Sequence, residues 1–240
     1  MLLGYLDLLF SDPLAFLRVF PIVVTTIGVA LLVAITIHEF SHALASYVLG
    51  DTTAKRLGRL SLNPVRHMDP TGTALLFLVG FGWGKPVPVN AAMLRRGRRG
   101  MAAVAAAGPL SNVATAFLLS VPIKTGLLAW PIPFLIDPAA PLSGGAVGLL
   151  SHILGLSIFF NLILAVFNLL PFYPLDGSKV ALGLLPRELA RRFARLERYG
   201  PVLLMSVIML DIVARFGVLR AVIGPVVNYL GRAAVGVEFF

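Results

Sequence analysis

Sorted into apolar and polar positions, the chain breaks into long uncharged runs separated by basic loops. Val19 to Ile37 carries no charged residue, and the apolar character continues to about Leu49. Met101 to Ile123 and Ala139 to Leu175 are also free of charge. A helix needs about 20 apolar residues to cross a bilayer. These runs therefore predict membrane-spanning helices over 17–49, 101–123 and 147–170. A fourth, over 199–215, is weaker because Asp211 and Arg215 interrupt it. Those two lie four apart, so they can pair along the helix surface or inside a bundle. The tail, 216–240, is apolar enough to lie on the membrane or re-enter it.

Between the first two spans the pattern changes. GFGWGKPVPVN, from Gly80 to Asn90, is too rich in Gly and Pro for a helix. Leu75 to Val79 before it reads as a short apolar strand or a re-entrant piece. Such backbone persists at membrane depth only where protein or a water-filled cavity satisfies it. An exposed edge there can pair with an extended peptide, while the composition fits an ordinary cytoplasmic loop equally well. The expected fold is an all-α polytopic membrane protein of about four transmembrane helices. It carries a short membrane-associated strand or re-entrant region between spans one and two, and residues 1–240 form one membrane-embedded domain.

Composition strengthens this picture. The chain is 58% hydrophobic and 13% charged, against about 25% charged in soluble domains. The net charge of +9 is compatible with nucleic-acid binding, but membrane proteins concentrate Lys and Arg in cytoplasmic loops. Here the basic residues do cluster, in Lys55–Arg99 and in Arg187–Arg198, whereas the loop after span two has only Lys124. Four spans put both clusters on one side, which the charge rule makes the cytoplasm. The Arg95–Arg99 cluster suits anionic lipid, and no nucleic-acid partner is expected. The N-terminal segment resembles a signal peptide only superficially. Cleavage near Ala43–Ala45 would discard His38, Glu39 and His42, so a retained helix is expected.

Those three residues carry the chemistry. HEFSH, at 38–42, is an H-E-x-x-H pattern at the end of the first span. On a helix, residues four apart share a face, so both imidazoles can reach one metal ion. Glu39 is then placed to act as general base on water. The chain has no cysteine, so any metal must use His and carboxylate. A catalytic zinc takes three protein ligands. His152 falls near the far end of span three. Asp176, in NLLPFYPLDG, falls at the same end as His38 and His42. It can be the third ligand or the cap of the next helix; matching depth favours the ligand. His67 reads as structural, because a fourth protein ligand would close the open position. Asn112 and Asn161 read as packing residues.

HEFSH followed by NLLPFYPLDG resembles the site-2 protease family of intramembrane zinc metalloproteases. LNP with HMDPTGT, then GWGKPVPVN and GPLSN, add to the likeness, which runs from about Thr36 to Lys179. It is to the compact prokaryotic type, without a PDZ module or appended soluble domain. The resemblance implies that His38, His42 and Asp176 bind one Zn2+ per chain and that Glu39 is catalytic. It matches Asn168 to an asparagine that engages substrate or the transition state. It also implies a substrate that is a transmembrane segment of another protein, cut inside or near a prokaryotic plasma membrane with the site toward the cytoplasm. The rival functions are an intramembrane metal transporter, a catalytically silent scaffold, and a basic tether for nucleic acid.

Overall fold

The computed structural model describes residues 6–79, 84–131, 144–214 and 216–240. The described elements are helical: α1 (Leu6–Ser11), α2 (Pro13–Val48), α3 (Thr53–Arg56), α4 (Pro70–Val79), α5 (Gly97–Leu119), α6 (Val121–Lys124), α7 (Gly145–Asn168), α8 (Asp176–Leu184), α9 (Arg187–Ala194), α10 (Gly200–Ala214) and α11 (Val218–Val235). Among the described residues, four stretches are long and apolar enough to cross a membrane: Pro13–Val48, Gly97–Lys124, Gly145–Asn168 and Val218–Val235. At 1.5 Å per residue, the 36 residues of α2 extend about 54 Å. That exceeds a hydrocarbon core of about 30 Å, so the helix projects or tilts.

Helix α5 is the centre of the bundle, packed against α2, α7 and α8. Its sequence explains why. Gly100, Ala102, Ala105, Gly108 and Ala116 are buried, and small side chains let neighbouring backbones approach closely where lipid offers no hydrophobic drive. A Cβ on Gly183 of α8 would lie 2.2 Å from that of Ala102. Ala116, Ile158, Leu162, Val166, Ile223 and Val227 form a core joining α5, α7 and α11. Val19, Val23 and Ile27 of α2 pack with Leu156 and Phe160 of α7. Leu110, Leu118, Val147, Val222 and Val226 remain exposed, which gives the bundle the apolar outer surface that lipid requires. The chain is an integral membrane protein.

Two expectations differ from the structure. Among the described residues the fourth helix long and apolar enough to span is Val218–Val235, whereas the stretch expected as the fourth span, 199–215, holds a shorter helix. Gly200–Ala214 has 15 residues, about 22 Å. Asp211 accepts the Val218 backbone N–H at 2.6 Å and that of Leu219 at 3.4 Å, so it caps α11. Its expected pairing with Arg215 lies outside the described residues. Leu219 packs with the Leu175–Leu204–Ile208 cluster near the end of α7. Lys124 Nζ donates to Ala233 O at the opposite end.

The second correction concerns Leu75–Val79, which belongs to helix α4 rather than to a strand. Among the described residues there is one isolated antiparallel bridge, Met68 to Gly84. Asp69 accepts the Gly72 N–H at 2.8 Å and Pro70 begins the helix, an N-cap followed by Pro at the first helical position. Those start signals outweigh the β-like run behind them. Of the Gly80–Asn90 region, residues 80–83 lie outside the described residues. The rest has no regular secondary structure beyond the bridge at Gly84.

Candidate metal centre

The site is assembled from three elements. His38 and His42 project from one face of α2, and both are buried. Asp176 is the first residue of α8. Pro171 and Pro174 keep the link from α7 irregular, and the chain doubles back on itself. A Cβ at Gly177 would lie 2.3 Å from the carbonyl oxygens of both Leu169 and Leu170. Glycine is thus what lets Asp176 sit this close to the end of α7. No side-chain cap bond forms at the start of α8. The Asp176 carboxylate faces the imidazoles instead.

Asp176 Oδ2 lies 3.0 Å from His38 Nε2 and 3.1 Å from His42 Nε2, and the two Nε2 atoms are 3.0 Å apart. The protons on these rings follow from the other side of each imidazole. His42 Nδ1 is 2.8 Å from the carbonyl oxygen of Val104. A carbonyl only accepts, so His42 Nδ1 is the donor and its Nε2 presents a lone pair. His38 Nδ1 is 2.6 Å from Asn112 Oδ1. The Asn112 amide group donates to Ala34 O and to Asn161 Oδ1, which fixes its oxygen toward His38. His38 Nδ1 is therefore also a donor, and its Nε2 is bare. Asn161 Nδ2 in turn donates to Ser157 O. Asn112, expected to serve packing, does bridge helices, and in doing so it also sets the His38 tautomer.

Two lone pairs and a carboxylate oxygen thus converge at 3.0–3.1 Å with no proton of their own to share. Such a set is stable around a cation, and two imidazoles with one carboxylate suit zinc. His38, His42 and Asp176 together form a group able to hold a metal ion. A ligating carboxyl must be deprotonated and a ligating imidazole must present a lone pair, and the lone-pair condition is met by both rings as their Nδ1 bonds orient them.

Gly108 of α5 packs directly on these rings. A Cβ there would lie 2.4 Å from His42 Nε2 and 2.8 Å from His38 Cε1. The sequence places Gly108 in the second uncharged run, with no sign that its neighbours are the two imidazoles.

Glu39 sits beside the triangle, and its Oε2 accepts the Val87 backbone N–H at 3.2 Å. The segment around Val87 is pinned at both ends. Lys85 N–H donates to His67 O at 2.8 Å, and Asn90 N–H donates to Asp51 Oδ2 at 2.7 Å. Arg59 also donates to Lys85 O. Burial opposes ionisation of Asp51, but its bonds from Thr53 and Asn90 prevail and lower its pKa. Neither Val87 nor Asp51 carried a sequence signal for this arrangement.

The remaining candidates are elsewhere. Asn168 is half-buried at the end of α7, and its Nδ2 donates to Leu164 O at 3.0 Å. It makes no hydrogen bond to the triangle. His67 is fully buried with Nε2 2.6 Å from Ser61 O. His152 lies in the first half of α7, far from the triangle, with Nδ1 2.9 Å from Gly148 O.

With this geometry in hand, similarity to known proteins is informative. The profile described as Peptidase family M50 matches residues 137–210, a range that holds α7, the proline-rich link and Asp176. "Putative zinc metalloprotease YwhC" of Bacillus subtilis is 39% identical over 172 residues, covering 72% of this chain and 74% of that protein. "Putative zinc metalloprotease Rip2" of Mycobacterium tuberculosis is 30% identical over 200 residues, covering 81% of this chain and 69% of that protein. No solved structure matches significantly. Both relatives are named zinc metalloproteases and the chain matches them across most of its length, so it belongs to peptidase family M50, the site-2 protease family.

Proposed function

We propose that this protein is an intramembrane zinc endopeptidase of the H-E-x-x-H type, one Zn2+ per chain, cutting transmembrane segments of other membrane proteins. The observation that carries the reading is the convergence of the two bare Nε2 atoms and Asp176 Oδ2 within 3.0–3.1 Å, with Glu39 alongside. Held by His38, His42 and Asp176, zinc would supply a Lewis acid that makes water nucleophilic near neutral pH.

The chain's own groups do the rest. Glu39 takes a proton as water adds to the scissile carbonyl and gives it to the leaving amine. Its carboxylate accepts the Val87 N–H, which ties the base to the 85–90 segment. That segment is the place to hold a substrate strand. A helical substrate hides its carbonyls in its own ladder, so cleavage requires a locally unwound stretch. The amide of Asn168 is assigned to the substrate backbone or the developing oxyanion. The partners are therefore a transmembrane protein and the bilayer, with no nucleic acid. The site faces the cytoplasm of a prokaryotic plasma membrane, because the arginine-rich segments lie at its end of the bundle.

The test uses purified protein in liposomes with a single-span reporter substrate. Glu39→Gln should keep zinc and lose cleavage by at least about 10²-fold. Asp176→Ala should lose zinc as well. Normal turnover by Glu39→Gln, or full zinc in Asp176→Ala, would refute the assignments. Zinc flux across the liposome without any cleavage would point to transport instead.

A further inference from the structure

Arg59 is 5% exposed, and arginine is almost never so deeply buried unless it is paired. Its backbone is fixed by the turn that ends α3. Gly58 takes a φ of +69°. Its N–H donates to Lys55 O at 3.0 Å, and the Arg59 N–H donates to Ala54 O at 2.9 Å. These are the two bonds of a Schellman turn. From there the side chain reaches the segment that follows Gly84, where Nη2 donates to Lys85 O.

The pairing of this cation is incomplete. Its Nε is buried and has no hydrogen-bond partner among the described residues. It forms no ion pair among them either. Burial lowers the pKa of the guanidinium, and the negative charge of Glu39 works in the opposite direction. A buried cation that is only partly paired is a cost to the fold. Stability therefore does not account for an arginine here.

What the side chain touches does account for it. Lys85 O accepts from Arg59, and Lys85 N–H donates to His67 O at 2.8 Å. Lys85 is thereby held by both of its backbone polar groups. Two residues on, Val87 N–H donates to Glu39 Oε2 at 3.2 Å. One residue back, a Cβ on Gly84 would lie 3.8 Å from Glu39 Oε1. Both oxygens of the Glu39 carboxylate thus meet backbone that Lys85 anchors. A glutamate side chain is flexible and loses rotamer freedom when fixed, so a base of defined geometry needs such a hold.

We infer that Arg59 is the positioning residue for the general base: it clamps the Lys85 carbonyl so that the backbone of Gly84–Val87 holds the Glu39 carboxylate in place. The inference rests on the peptidase reading above. Arg59 acts through this backbone and through its charge.

The experiment uses the full-length zinc-loaded protein in liposomes with the single-span reporter. Arg59→Met should fold, keep full zinc and melt near the wild-type temperature. Its kcat should fall about 10²-fold, with KM moving less than about threefold. Arg59→Lys retains a charge and a donor and should exceed Arg59→Met in kcat by at least about tenfold. Amide exchange of the 84–90 segment, read by mass spectrometry, should quicken about tenfold in Arg59→Met, whether or not zinc is bound. Unchanged kcat, a loss carried by KM alone, a loss of zinc or unchanged exchange in Arg59→Met overturns the inference. So does an Arg59→Lys variant no faster than Arg59→Met. If Arg59→Met does not fold, Val87→Pro decides, because it removes the N–H that reaches Glu39 and leaves Arg59 in place; normal kcat in that variant overturns the inference. A wild type that cuts no reporter sinks the peptidase reading itself, and the positioning role with it.

Discussion

Gly108→Ala adds one methyl group where the structure has no room for it. The new Cβ would lie 2.4 Å from His42 Nε2, 2.6 Å from His42 Cε1 and 2.8 Å from His38 Cε1. Ordinary contact begins near 3.4 Å, so His42 must retreat by about 1.0 Å (3.4 − 2.4) and His38 by about 0.6 Å (3.4 − 2.8). Neither ring can swing away freely, because His42 Nδ1 is bonded to Val104 O and His38 Nδ1 to Asn112 Oδ1. Metal–ligand distances tolerate about ±0.2 Å, and a misplacement of about 1 Å in an active site costs around 10²-fold in rate. Overpacking costs about 1–3 kcal/mol, and replacing Gly by Ala in a helix returns up to about 1 kcal/mol. Global stability should therefore fall only modestly. The expected variant is folded, with a melting temperature near that of wild type, deficient in zinc and slowed at least 10²-fold. Zinc per chain by mass spectrometry and reporter cleavage in liposomes read this directly. Gly148→Ala is the control, because a Cβ there meets nothing within 4 Å, and it should be neutral. Full zinc content and normal cleavage in Gly108→Ala would refute the packing argument.

Other outcomes follow from the same geometry. Asn112→Leu removes the acceptor for His38 Nδ1–H and should weaken zinc affinity about 10–100-fold in chelator competition; unchanged affinity would show that Asn112 only fills space. Asp51→Ala removes the acceptor for Asn90 N–H and should lower stability by about 1–3 kcal/mol in thermal unfolding. The folded pKa of Asp51 is depressed, so its contribution is complete at neutral pH and fades only as pH falls below the ordinary carboxylate value near about 3.9. A loss between pH 7 and 5 that disappears in Asp51→Asn would contradict this. Reporter fusions at Arg95–Arg99 and at Arg187–Arg198 should both report a cytoplasmic location; a periplasmic signal from either would invert the topology.

What the sequence revealed, and what it hid, divides by the range of the interactions. The pairing of His38 with His42 is a helical spacing, and Asp176 shares their depth because both runs end on one side. Helix existence followed from uncharged length. The errors came where local signals competed. The cap and proline at 69–70 start a helix that the following LLFLV run disguises. Asp211 looked like a defect in one helix and is the cap of another. The support around the triangle was invisible for a different reason. Val87 to Glu39, Asn112 to His38 and Val104 to His42 join residues 48, 74 and 62 positions apart. Two of them use backbone groups that every residue possesses, so no residue type advertises them.

The carboxamide ladder has a direction. Each rung gives a hydrogen on one side and takes one on the other, from the Ser157 carbonyl through Asn161 and Asn112 to the His38 ring. It crosses three separate membrane helices, so no fragment of the bundle can hold that imidazole ready. Loading of the ion must therefore wait until the third of these helices has been inserted and seated, which makes maturation of the centre a late step in the biogenesis of the protein.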